Sequence, residues 1–169
     1  MVSRIFKVIL AVSLTINMVV AGFLVKDWLH ARQEYLNTQA DYQRSVGFLR
    51  MADGELKALS EEQSKPKQLR HLAAADNHLM RSIQFFQKVE PALARAGAET
   101  QNFMPRLSDV ESIIYGQLLD AILGTTSPGI DPSAPAKAQA QINSWVKVFP
   151  QEKLPDRDQA QPINASLRE

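Results

Sequence analysis

His71 and His78 stand seven residues apart. On a helix that spacing puts two imidazoles on one face, which is half of a metal site. Helical zinc ligands usually lie three or four apart, and no Glu-x-x-His accompanies the pair, so both are read as solvated surface side chains. Asp76 lies close to the apolar side of the same segment. Buried, it would need an arginine or a hydroxyl such as that of Tyr42; a place at the edge of the stripe, in water, is the expectation. Tyr35 and Tyr42 could line a ligand groove between helices, although aromatic residues at heptad spacing more often fill a core. His30, two residues after Trp28, reads as interfacial.

Other reactive chemistry is not evident in the sequence. It has no glycine-rich phosphate loop, no serine nucleophile in a recognisable turn and no carboxylate pair on an obvious cleft. There is no cysteine, which excludes disulfides, thiolate metal ligands, a cysteine nucleophile and a lipid-modified cysteine anchor. The reading is a non-enzyme with no catalytic, cofactor-binding or metal-ligating residue. Asn164-Ala165-Ser166 fits a glycosylation sequon, which matters only in a eukaryotic secretory setting.

The elements that would position these residues start with an apolar run. No charge occurs from Val8 to Val25, and at 1.5 Å per residue that stretch covers roughly 27 Å, close to the hydrocarbon thickness of a bilayer. Lys7 can snorkel and Trp28 suits the far interface. Val19-Val20-Ala21 would also serve as a signal-peptide cleavage site, but the run continues through Phe23, Leu24 and Val25, which favours an uncut anchor. Arg4 and Lys7 keep the short tail in the cytoplasm, so the remainder lies outside it. Asn17, with Ser13 and Ala21 four residues to either side, could bond across a helix pair; bonding within its own helix is the blander reading.

Trp28, Tyr35, Tyr42, Leu49 and Leu56 then recur every seven residues, with Ala31, Thr38, Ser45, Ala52 and Leu59 three residues on. This a/d stripe predicts one long helix from the anchor to about Glu62. Ser64 and Pro66 restart the chain as a second helix. That helix carries Leu69, Leu72, Leu79, Ile83 and Phe86, kinks at Pro91 and ends near Gly97. Pro105, or a capping box at Ser108 and Glu111, opens a third helix ending at Gly124. Thr125 to Gly129 is a loop. Asp131-Pro132 or Pro135 opens a fourth helix with Ala138, Ile142, Trp145 and Phe149 on its face.

The fold class is therefore all-α: an N-terminal transmembrane helix continuous with an antiparallel up-and-down bundle of about four helices. The expected boundaries are a cytoplasmic tail over 1–7, an anchor over 8–25, a bundle domain over 26–149 and a disordered polar tail over 150–169. The apolar fraction of 45% suits a folded chain. Without Arg4 and Lys7 there remain 17 basic against 18 acidic residues, and no basic stripe stands out, so nucleic acid is not an expected partner. In layout alone, with no motif to carry it, the chain resembles the extracytoplasmic four-helix domains of chemoreceptors and sensor kinases. It departs from them in ending on a polar tail where they return to a second span. The expected partners are the lipid bilayer, through the N-terminal helix, and a protein partner or a second copy. The expected location is the cell membrane, single-pass. The function read from this is protein–protein interaction or a structural, adaptor role. The alternative is a small-molecule-binding sensory module with a groove between helices.

Overall fold

The computed structural model describes residues 2–124 and 133–168. They form five helices and, among the described residues, no strand: α1 (Val2–Glu61), α2 (Lys65–Arg95), α3 (Thr100–Leu123), α4 (Ala134–Val148) and α5 (Arg157–Arg168). The chain divides into two compact units, Met1–Asn37 and Thr38–Glu169.

All described residues of the first unit belong to α1. Leu10, Leu14, Ile16, Val20, Phe23 and Leu24 are all about half exposed or more, and Asn17 is exposed with them. α1 is the one helix, among the described residues, long and apolar enough to cross a membrane, and none of its most apolar window is buried. Trp28 and Tyr35 are also exposed, at 57% and 55%, with the Arg32 guanidinium 5.2 Å from the Trp28 ring. The heptad stripe therefore divides: its first two large residues face outward, and burial begins at Tyr42.

In the second unit Tyr42, Ser45, Val46, Leu49, Ala52 and Leu56 of α1 are buried. The small residues let α2 approach closely. Ser82 Oγ donates to the Ser45 carbonyl at 2.9 Å, and His71 meets Glu55 at 2.7 Å. The contact thus moves toward the start of α2 as it moves toward the end of α1. Ser64 precedes α2 but its side chain makes no cap; its backbone N–H donates to Glu62 Oε1 instead. Pro66 fits the first turn, where no intrahelical donor is lost. α2 continues through Pro91. It closes in a Schellman motif, with Ala98 N–H on the Leu93 carbonyl and Gly97 N–H on that of Ala94. Gly97 takes φ +91° there, a left-handed conformation that side-chain-bearing residues seldom adopt.

Helix three begins earlier than expected. α3 starts at Thr100 and absorbs Pro105, because Phe103 and Leu107 already belong to its buried face with Val110, Ile114 and Leu118. Ser108 and Glu111 are consequently interior residues and not a capping box. The expected loop at 125–129 and the Asp131-Pro132 cap lie outside the described residues. α4 starts at Ala134, with Pro135 in its first turn.

The disordered tail expected over 150–169 is corrected by α5. Ala160, Ile163 and Leu167 are buried, a stripe at steps of three and four that the polar composition and the prolines concealed. Pro155 and Pro162 lie before the helix and within it. The centre of the core is aromatic. Phe103 packs edge-on to Phe86 and Trp145, at 4.9 and 5.1 Å between ring centroids, and Phe149 lies 5.1 Å from Phe103. Tyr42 adds an edge contact to Phe86 at 6.5 Å.

Candidate functional site

α2 turns Leu72, Ala75, Leu79 and Phe86 inward, and Asp76 goes in beside Ala75. It is only 8% exposed, so the water-facing reading of Asp76 is wrong. Its partner is not an arginine or Tyr42 but Glu111, half-buried on α3 between Val110 and Ile114. The two carboxyl groups lie close enough to influence each other's titration, and a proton held by either relieves the repulsion between them. Burial raises the pKa of Asp76, with the neighbouring Glu111 opposing the rise. Glu111 is raised by burial first and then by the negative charge of Asp76. Asp76 Oδ1 is buried without a hydrogen-bond partner among the described residues. No local pattern marks this pair, and the spacing of Ser108 and Glu111 reads as a capping box.

An acid whose pKa is raised in the folded state holds a proton that the unfolded chain releases. The pair's contribution is therefore full below the ordinary carboxylate values of 3.8 and 4.5 and is lost as pH rises through the raised ones. Asp76→Asn removes the negative charge that Glu111 faces. Its stability relative to wild type should be near zero at about pH 4 and grow to about 1 kcal/mol in the variant's favour at pH 7. Denaturation midpoints measured across that range test it; a difference that does not change with pH would show that the two carboxyls do not interact.

The histidines share a helix face as expected but are not solvated. His71 Nδ1 lies 2.7 Å from Glu55 Oε2, both side chains half-buried, joining α2 to α1. His78 stacks on Phe48 at 6.0 Å, and Phe48 on Phe85 at 5.8 Å, while His78 Nδ1 is buried without a partner among the described residues. No group of three or more His, Asp or Glu side chains among the described residues is arranged for a metal. His30 is exposed. Cations roof the aromatic ladder: Arg81 lies 5.6 Å from the Phe48 ring, and Lys88 and Arg44 lie 4.8 and 5.7 Å from that of Phe85.

Tyr42 is a core residue, and Tyr35 is not near it in burial. Burial drives the Tyr42 phenol far above its usual pKa, with Arg50 opposing. Its hydroxyl donates to the Pro150 carbonyl at 2.8 Å. Gln39 and Gln43 donate to the Glu152 carbonyl, and Arg50 to the Gln151 side chain. One turn on, Asp53 accepts from Gln139 and Asn143 of α4, at 3.0 and 3.2 Å. These polar ties pin the segment after α4 to α1. Asn164 does similar work for the α2–α3 connector: Nδ2 donates to the Gly97 carbonyl and Oδ1 accepts from Glu99 N–H. Its amide is thus occupied, whatever the sequon suggests. An open cleft of about 350 Å³ lies at Gln101, Asn102, Pro105, Arg106 and Leu167, away from both tyrosines in sequence. Set against family models, curated proteins and solved structures, the chain matches none.

Proposed function

We propose that this chain is a single-pass membrane protein whose helical domain acts outside the cytoplasm by binding another protein or a second copy of itself, as a structural or adaptor component and not as an enzyme. In this reading residues 8–25 cross the cell membrane and 1–7 stay in the cytoplasm. The following helices form an antiparallel up-and-down bundle, with α5 as an addition to the four expected. The converging pairs Ser45–Ser82 and Glu55–His71 and the exposed apolar N-terminal helix support that arrangement.

The observation that carries the functional reading is the outer ridge of α3. Tyr115, Leu119 and Ile122 fall within about 60° of one another round the helix, and with Leu123 they stay 38–67% exposed. An apolar ridge of this kind on the outside of a folded domain marks a contact surface more often than a solvated one. The small-molecule alternative has less behind it, since Tyr42 packs into the core and the cleft at Arg106 is open and shallow.

A photo-crosslinking residue at Leu119 or Ile122 in intact membranes tests the reading, with exposed Gln87 as the control position. The expected outcome is a discrete adduct, hetero- or homomeric, from the ridge alone, on a protein that stays in the membrane fraction after carbonate washing. Equal background from ridge and control removes the interaction reading. A released species beginning at Gly22 replaces the anchor by a cleaved signal peptide.

A further inference from the structure

α2 carries a basic stripe that only its helical phase reveals. Arg70, Arg81, Lys88 and Arg95 are spaced eleven, seven and seven residues apart, so at 3.6 residues per turn they fall within about 40° round the helix. All four are exposed. α2 contains two acidic residues, Asp76 and Glu90, and both lie on the order of 100° or more away from the stripe. Three nearby acids are paired elsewhere: Asp41 of α1 with Arg44, Glu55 of α1 with His71, and Glu62, just after α1, with Lys67. Among the described residues Arg70, Arg81 and Lys88 have no carboxylate partner, and Arg95 spends only its Nε, on the Pro91 carbonyl. The sequence-based view that no basic stripe exists held for the composition and fails for this face.

Two of these cations are held in place without being neutralised. Arg81 rests against Phe48 and Lys88 against Phe85, in a stack of half-buried rings continued by His78. Contact with a ring face restricts a long side chain but leaves its charge available. Less rotamer freedom is then lost when an anion arrives, and that loss is a main cost of binding through lysine and arginine.

We propose that the α2 stripe is a docking surface for an acidic helix of a partner protein, whose carboxylates recur every seven residues and pair with Arg81, Lys88 and Arg95. Steps of seven correspond to about 10.5 Å along both helices, so two helices packed side by side keep the pairs in register. A helix lying on a lipid surface buries large apolar side chains among the headgroups. The only exposed large apolar residue of α2 is Met80, about 100° from Arg81, and Phe48 and Phe85 are already stacked and roofed. The face therefore fits a carboxylate-bearing helix better than a membrane. The inference does not depend on the α3 ridge, which is a separate surface.

The test uses the full-length protein in neutral detergent micelles. Its probes are two fluorescent three-heptad helical peptides of alanine and glutamine, one with glutamate and one with lysine at every seventh position. Wild type should bind the glutamate peptide, more weakly as salt rises, and not the lysine peptide. The double substitution Arg81→Glu/Lys88→Glu, at exposed sites and checked for native circular dichroism, should weaken the glutamate peptide at least tenfold and gain the lysine peptide. Should that double variant misfold, Arg95→Glu alone should still weaken glutamate-peptide binding several-fold. Equal binding of both peptides, binding of neither, or unchanged affinity in the variants overturns the proposal. So does capture by phosphatidylglycerol nanodiscs in excess of that by phosphatidylcholine nanodiscs, lost in the double variant and without peptide binding, which would assign the stripe to a lipid surface.

Discussion

Trp145→Ala is expected to remove about 3–5 kcal/mol of stability, enough to unfold much of the population of a domain this size. Trp145 is fully buried, and its ring meets the edge of Phe103, which in turn packs on Phe86 and Phe149. Removing it empties the point where α3 and α4 meet. Its Nε1 is buried without an acceptor among the described residues, so no hydrogen bond is lost. The cost is cavity and dispersion, and Trp145→Phe, which also deletes an unpartnered donor, should cost less than about 1.5 kcal/mol. Denaturant unfolding of the full chain in micelles, followed by circular dichroism, measures both. In a Trp28→Phe background the remaining tryptophan should emit blue-shifted and resist quenching. A red-shifted Trp145, or an alanine variant with an unchanged midpoint, would remove α4 from the core.

The second large effect separates the two halves of the heptad stripe. Leu49→Ala should cost about 2–5 kcal/mol, the range for emptying a buried leucine site, since Leu49 is fully inaccessible. Tyr35→Ala, two heptads earlier at the same a position but more than half exposed, should change stability by less than about 0.5 kcal/mol. Arg44→Ala should cost no more than about 1 kcal/mol, as it loses an exposed i, i+3 ion pair and a ring contact. Similar losses from Leu49 and Tyr35 would mean that the stripe is covered along its whole length.

Helices are legible where large apolar residues recur at helical steps over several turns, and Leu49, Leu79, Ile114 and Trp145 are buried as that pattern predicts. Boundaries were less so. Pro105 looked like a start because proline usually is one, yet Phe103 and Leu107 gained more from burial than the single lost N–H cost. α5 went unread because three small or medium apolar residues among prolines and charges give a weak signal until a surface exists to receive them. The acid pair was invisible for a different reason. Asp76 and Glu111 lie 35 residues apart on helices whose mutual rotation no local pattern encodes, and the cap assignment for Glu111 removed it from consideration. The α2 stripe was in the sequence throughout; overall charge balance hid it, because the compensating acids lie on other faces.

The ties between α1 and the segment after α4 also set a timetable. Tyr42 and Gln43 wait for carbonyls 108 and 109 residues downstream, and Gln39 for one 113 residues away. At about 5–20 residues per second, a ribosome reaches Pro150 roughly 5–20 s after Tyr42. Closing a loop of that length costs on the order of 4 kcal/mol of chain entropy before any contact repays it. During that interval the face of α1 that carries Tyr42 and Gln43 lacks the segment that ties it down, so a stretch translated late seals one translated early. A chain interrupted shortly before Pro150 would present an open aromatic seam, the kind of surface that chaperones and proteases are built to find.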